Sequence, residues 1–173
     1  MFRASYLVRG FPGHPLHPPL TDAAIGAYTA AVVLGCLGAV GVAEEALGQA
    51  WWIVLLVGLG FGGLAALTGL VDWLTITWGT PLWRTATFHM LVMLVATLLF
   101  VLAAVIGYGA YKDSEVGAGA LALALVGYAF LTIGGWLGGT IVFVHGMRVL
   151  NLAEEPAVRA VTPGHSDKEP ADG

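Results

Sequence analysis

Four long runs of apolar residues constrain the fold of this chain more than any other feature of its sequence. Each run reaches the length of about 20 residues that an α-helix needs to cross a bilayer. Only 10% of the residues are charged, whereas soluble domains carry about 25%. We therefore predict an all-α integral membrane protein whose four spans run from about Leu20 to Val42, Trp51 to Leu74, Thr85 to Tyr108 and Val116 to Val144.

The segments between these runs are short, which favours antiparallel neighbours and an up-down-up-down four-helix bundle. Pro18 and Pro19 suit the first turn of the first helix, and Asp22 is expected in that turn, where it complements the helix dipole. We predict three parts: an N-terminal segment (residues 1–19), a four-helix transmembrane domain (20–150) and a tail (151–173). The tail is rich in Pro, Glu, Asp and Lys and is predicted to be disordered.

The basic residues predict an orientation in the membrane. Lys112 alone falls on the side of the bundle away from both termini. Because cytoplasmic loops carry an excess of Lys and Arg, both termini are predicted to lie in the cytoplasm, beneath the inner membrane. The other six of the seven Lys and Arg residues fall on the terminal side: Arg3, Arg9, Arg84, Arg148, Arg159 and Lys168.

Histidines that lie far apart in sequence converge in this topology. His14 and His17 precede the first span, His89 lies early in the third, and His145 ends the fourth. Counting the crossings brings all of them to the cytoplasmic side. Ionisable residues at or within a membrane are costly to keep, so such a layer indicates a functional site.

The first interpretation of this layer is a b-type haem in a small electron-transfer subunit. His89 and His145 differ in depth by only about 3 Å at the helical rise of about 1.5 Å per residue, so we expect them to be the metal ligands. Arg84 and Arg148 lie close enough to pair with the propionates. The fourth helix carries Gly134, Gly138, Ile141 and His145 on one face, where small residues leave room for a flat cofactor.

Other residues of the layer have supporting roles in this interpretation. His14 and His17 are alternative ligands, and the sequence does not decide which two of the imidazoles bind the iron. Asp22 and Asp72 are expected to orient the imidazoles through their other ring N–H.

Two further interpretations remain open. The second is a metal site of His and Asp, since several imidazoles with a carboxylate suit zinc, iron or copper. The third is a structural or partner-binding membrane subunit without a cofactor, in which the same polar side chains hydrogen-bond between helices. The glycine faces are also compatible with a homodimer.

No nucleophile–base pair, phosphate-binding loop or nucleic-acid patch is visible in the sequence. It therefore gives no basis for an independent enzymatic activity or a nucleic-acid partner, and the bilayer is the one partner that it predicts outright.

The stretch from Gly13 to Asp22, GHPLHPPLTD, resembles the opening of a bacterial family of predicted membrane proteins, domain of unknown function 2231. The similarity extends to about Leu150 and includes a Gly-x-x-Asp sequence that ends at Asp72, and His89. Some relatives carry or neighbour a Rieske-type iron–sulfur domain, so the resemblance implies a redox-protein partner by association. This chain has a single cysteine, Cys36, and no such domain of its own.

Overall fold

The structure, a computed structural model, describes residues 6–150 and 153–162. Within these residues, four helices are long and apolar enough to cross a membrane, which confirms the predicted all-α membrane bundle. A short helix and a two-stranded antiparallel hairpin precede them, and one short helix follows. The elements are α1 (Tyr6–Arg9), β1 (Gly10–Phe11), β2 (His14–Pro15), α2 (His17–Ala39), α3 (Glu44–Trp73), α4 (Pro81–Lys112), α5 (Ala118–Phe143) and α6 (Ala157–Ala160).

Three helices begin earlier than the apolar runs predict, α3 and α4 by the larger margins. Helix α3 begins at Glu44, because Glu44 and Glu45 in its first turn complement the helix dipole. Helix α4 begins at Pro81, and the Oγ1 atom of the preceding Thr80 accepts a hydrogen bond of 3.2 Å from the backbone N–H of Trp83. An apolar run marks the part of a helix that lipid surrounds, whereas capping groups decide where the helix itself begins.

Helix α2 also begins before the predicted Leu20, at His17, with Pro18 and Pro19 in its first turn. Asp22 consequently lies beyond the first turn, contrary to our expectation. The earlier start makes His17 part of the helix, so the position of α2 against α3 fixes the position of its imidazole.

The segment predicted as a disordered tail lies partly outside the described residues, which omit 151–152 and 163–173. The described part contains the short helix α6, whose Arg159 forms an ion pair of 2.9 Å with Glu155.

The bundle consists of two helical hairpins, α2–α3 and α4–α5, and the helices pack more closely within each hairpin than between the hairpins. We call the end where α2 and α4 begin the histidine end, and the other the opposite end. The core lies away from the histidine end: Trp51, Leu55 and Phe100 are fully buried there, and the rings of Tyr28 and Phe100 stack with their centroids 4.0 Å apart. The two hairpins are therefore joined at the opposite end and diverge towards the histidine end.

Gly48 allows the closest approach at the opposite end. A Cβ atom at this position would overlap the carbonyl group of Ser114 and lie 2.9 Å from the backbone nitrogen of Glu115. Ser114 has a left-handed backbone (φ 61°), and its Oγ atom accepts a hydrogen bond of 2.8 Å from Nε2 of Gln49. Since these contacts are largely to backbone atoms, a side chain at Gly48 has no flexible neighbour to displace.

We expect Gly48→Ala to lower the free energy of unfolding by about 1–3 kcal/mol, the usual cost of overpacking. Gly60→Ala is the matched control, because Gly60 lies in the same helix with open space where a Cβ atom would be. Alanine stabilises a helix relative to glycine by up to about 1 kcal/mol, so the control should be neutral or stabilising. Unfolding of the purified variants in mixed micelles measures the two free energies. Equal stability of the two variants would contradict the close approach of Gly48 to the backbone of Ser114.

Candidate cofactor site

A cleft of about 1030 Å³ lies between the two hairpins at the histidine end. It reaches from His14 and Arg148 at its mouth to Tyr28 and Thr97 in the middle of the bundle. Glycines and apolar side chains form most of its wall. Its volume is at the upper end of the range of about 300–1,000 Å³ that is typical of small-molecule sites.

His17 stands on the α2–α3 side of the cleft. Its Nδ1 atom lies 2.9 Å from the backbone carbonyl oxygen of Ala65 and 3.3 Å from Oγ1 of Thr68. The ring fits against α3 because residue 69 is a glycine: a Cβ atom there would lie 2.7 Å from Cε1 of the imidazole. Helix α3 thus supplies both the acceptor for the ring and the space that it occupies.

His89 stands on the α4–α5 side and repeats this arrangement. Its Nδ1 atom lies 2.8 Å from the backbone carbonyl oxygen of Gly134. A Cβ atom at Gly138, one turn further along α5, would lie 3.3 Å from Cε1 of the ring. Each hairpin therefore presents one imidazole, held by a carbonyl group and a glycine of its own second helix.

These contacts determine the tautomer of both rings. A backbone carbonyl oxygen only accepts hydrogen bonds, so Nδ1 carries the proton in His17 and in His89. In the neutral imidazole, Nε2 then has a lone pair. Across the part of the chain that the structure describes, no hydrogen bond engages Nε2 of either ring. Both rings line the cleft, so two nitrogen lone pairs are available there as metal ligands.

An ion-pair cluster lies beside the mouth of the cleft. Asp72 is buried, and its Oδ1 atom lies 2.9 Å from Nε of Arg9 and 3.7 Å from Nη1 of Arg148. Arg9 also donates a hydrogen bond of 3.2 Å to Oγ1 of Thr75, and Arg148 donates one to the carbonyl oxygen of Arg9. Asp72 thereby joins the N-terminal segment, the end of α3 and the segment after α5.

The structure does not bring His145 to the cleft. Helix α5 ends at Phe143, so the helical face shared by Gly134, Gly138 and Ile141 does not continue to residue 145. The Nε2 atom of His145 lies 3.1 Å from Oγ1 of Thr85, at the start of α4. His145 links α4 to the segment after α5, whereas His17 and His89 both line the cleft.

The other predicted site residues divide into two groups. His14, Asp22 and Arg148 line the cleft near its mouth, whereas Arg84 is exposed and lies outside it. Asp72 lines the cleft too, but its hydrogen bond goes to Arg9. The role of orienting the imidazoles, which we expected of Asp22 and Asp72, is performed by backbone carbonyl groups of Ala65 and Gly134.

Sequence reasoning did not identify Arg9 as a partner of Asp72. A signal was present, since a carboxylate at the end of an apolar helix requires a cation, and most of the basic residues belong to this end of the bundle. The carbonyl acceptors had no such signal, because every residue has a carbonyl group and only tertiary packing selects one.

Within residues 6–150 and 153–162, no three His, Cys, Asp or Glu side chains are grouped so that they could hold a metal ion. This finding disfavours the His and Asp metal site.

The fold and the cleft define a membrane protein with four candidate spans and an internal site at one end. The chain belongs to the DUF2231 family of predicted membrane proteins, whose family model matches residues 13–151. The matched region begins just before β2 and includes all four spans and all but two of the residues that line the cleft. No curated protein and no solved structure matches the chain significantly.

We expect Arg9→Ala to destabilise the protein by about 1–3 kcal/mol, because a buried carboxylate loses its closest partner. The Arg9→Ala/Asp72→Ala double variant should recover part of this loss, since it removes the carboxylate as well. Thermal unfolding in detergent measures the stability of the two single variants and of the double variant. Arg84→Ala, which changes an exposed arginine, is the control. Additive effects of the two single variants would show that the pair contributes no coupling energy.

Proposed function

We propose that the protein is a small electron-transfer subunit of the bacterial inner membrane that binds b-type haem between His17 and His89. The observation that carries this proposal is the pair of Nδ1–H bonds to the carbonyl groups of Ala65 and Gly134, at 2.9 and 2.8 Å. Histidines that ligate a metal through one ring nitrogen commonly donate the other N–H to such a group. Both Nε2 lone pairs belong to rings that line the same cleft.

The shape of the cleft supports a flat ligand. At Gly63 of α3 and Gly135 of α5, which both line the cleft, a Cβ atom would have no neighbour within 4 Å. Backbone with open space beside it on both hairpins leaves room for a large planar ring. Gly69 and Gly138 serve a different purpose, because the imidazoles themselves occupy the space beside them.

The polar groups of the cleft lie at the end that suits the propionates of a haem. Arg148 lines the mouth, and His14 and Asp22 lie nearby, whereas Met93 and Ile25 line the wall further in. A guanidinium pairs well with a carboxylate, and the apolar wall suits the rest of the ring. In this proposal Arg148 binds a propionate, whereas Arg84 takes no part.

A haem held by two imidazoles carries one electron, and its potential depends on the axial ligands and their hydrogen bonds. The carbonyl groups of Ala65 and Gly134 increase the basicity of the two imidazoles by accepting their N–H protons in hydrogen bonds. The surrounding apolar side chains keep water away from the rings. An electron would pass to or from a redox-protein partner at the histidine end.

A structural subunit without a cofactor is the competing function. In that case the imidazoles would serve to fasten helices together. However, the bonds of His17 join α2 to α3, and that of His89 joins α4 to α5. Both stay within a hairpin, so they add nothing to the weaker junction between the hairpins. This favours a ligand that bridges the cleft.

We expect protein purified in detergent, from cells supplied with haem, to show a Soret band. His17→Ala and His89→Ala should each abolish it or lower the haem content several-fold, because each removes one axial ligand. His145→Ala is the matched control and should keep the band, since His145 lies outside the cleft. Absorption spectra and the haem-to-protein ratio measure the outcome.

A second variant tests the cleft without touching a histidine. Gly135→Leu fills open space in the cleft and should also lower the haem content, whereas Gly60→Leu, which faces open space outside the cleft, should not.

A colourless wild-type protein would refute haem binding and leave the structural subunit. Loss of the band in His145→Ala but not in His17→Ala would assign the second ligand to His145.

We also propose that both termini lie in the cytoplasm, because Lys112 is the only basic residue of the described spans and loops that lies at the opposite end. Single cysteines at Asp113 and Arg84, in a Cys36→Ala background, test this orientation. A membrane-impermeant maleimide should label Asp113→Cys in spheroplasts, and Arg84→Cys only after lysis. The reverse pattern would overturn the orientation.

A further inference from the structure

A second recess lies at the histidine end and shares Ile76, Met147 and Arg148 with the lining of the cleft. Its volume is about 470 Å³. It lies between the N-terminal segment, the loop from α3 to α4 and the segment after α5. We call it the arginine groove; it is lined by Arg9, Thr75, Ile76, Thr77, Thr80, Leu82, Met147 and Arg148.

The arginine groove is positively charged. Arg9 and Arg148 share one carboxylate, that of Asp72, so the cluster has a net charge of about +1. Asp72 itself does not line the groove, and none of the described residues that do is acidic. The remaining positive charge of the cluster therefore attracts an anion in the groove.

The groove also offers hydrogen-bond donors. Nε and Nη2 of Arg9 are engaged by Asp72 and Thr75, and Nη1 and Nη2 of Arg148 by Asp72 and a backbone carbonyl group. In the described part of the chain, Nη1 of Arg9, Nε of Arg148 and Oγ1 of Thr77 have no partner. Two guanidinium groups and a hydroxyl group can donate to several oxygens of a phosphate at once.

Tryptophans cluster at the end of the bundle where the arginine groove lies. The ring centroids of Trp73, at the end of α3, and Trp83, in the first turn of α4, are 6.0 Å apart, and those of Trp83 and Trp78, in the loop between the helices, are 5.4 Å apart. Trp78 is 79% exposed. Clustered, exposed tryptophans at the end of apolar helices are typical of the membrane–water interface.

We propose that the arginine groove binds the phosphate group of an anionic phospholipid from the leaflet at the histidine end. Arg9, Arg148 and Thr77 bind the phosphate, and Ile76, Leu82 and Met147 contact the glycerol and the first acyl carbons. Basic pockets between helices at this level recognise anionic headgroups. A free phosphate ion would leave the apolar part of the groove without a partner, which is why a lipid fits better.

The test compares an anionic lipid, a zwitterionic lipid with the same acyl chains and free phosphate. Full-length protein in detergent is titrated with phosphatidylglycerol, with phosphatidylcholine or with inorganic phosphate, and native mass spectrometry and the unfolding temperature are recorded. We expect phosphatidylglycerol to bind and to raise the unfolding temperature more than the other two. Thr77→Glu should weaken its binding about fivefold, since one charge near the surface contributes about 1 kcal/mol.

Two control variants separate charge from size and from position. Thr77→Gln has the size of glutamate without its charge, so it loses the hydroxyl donor alone and should weaken the binding of phosphatidylglycerol less than Thr77→Glu does. Ala153→Glu adds a carboxylate to an exposed residue at the same end but outside the groove, and should have little effect.

Equal binding of phosphatidylglycerol and phosphatidylcholine would overturn the proposal, as would an unchanged affinity in Thr77→Glu. If inorganic phosphate stabilises the protein as much as phosphatidylglycerol does, the groove is a phosphate site and the lipid is excluded as its specific ligand.

Discussion

A hydrogen-bond donor that lies within a bilayer has to find its acceptor inside the protein, because lipid chains offer none. His17 and His89 meet this requirement through carbonyl groups of the helix beside them in the same hairpin. Each bond sets the rotation of the ring and its tautomer together. These two bonds leave the Nε2 lone pairs free, and Gly69 and Gly138 provide the space that the rings occupy.

The glycines have opposite effects at the two ends of the bundle. At the opposite end, Gly48 lets α3 approach the backbone of Ser114, and the hairpins pack closely around buried aromatic rings. At the histidine end, Gly63 and Gly135 face open space, and the hairpins diverge. Small residues in membrane helices usually permit close packing. Here packing at one end holds the bundle together, so that the other end can remain open.

The charged groups and the imidazoles use separate hydrogen-bond partners. Asp72 pairs with Arg9 and Arg148, whereas both imidazoles use neutral carbonyl groups. A buried carboxylate needs a cationic partner more than a neutral imidazole does, because the cost of burying a charge is much larger than that of burying a dipole. Arg148 forms part of the wall between the cleft and the arginine groove, so a single cluster contributes to both sites.

The sequence by itself determined the number of spans, their antiparallel order and the layer in which the histidines and aspartates meet, because these follow from apolar run lengths and from an even number of crossings. It also predicted that His89 lies at this end, where the residue lines the cleft. That His17 and not His145 shares the cleft with His89 was decided by the tertiary structure: α5 ends at Phe143 and His145 lies against Thr85, whereas α2 begins early enough to hold His17 against α3. Helix periodicity predicts directions only within a helix, and the rotation of a ring depends on the acceptor that packing brings to it.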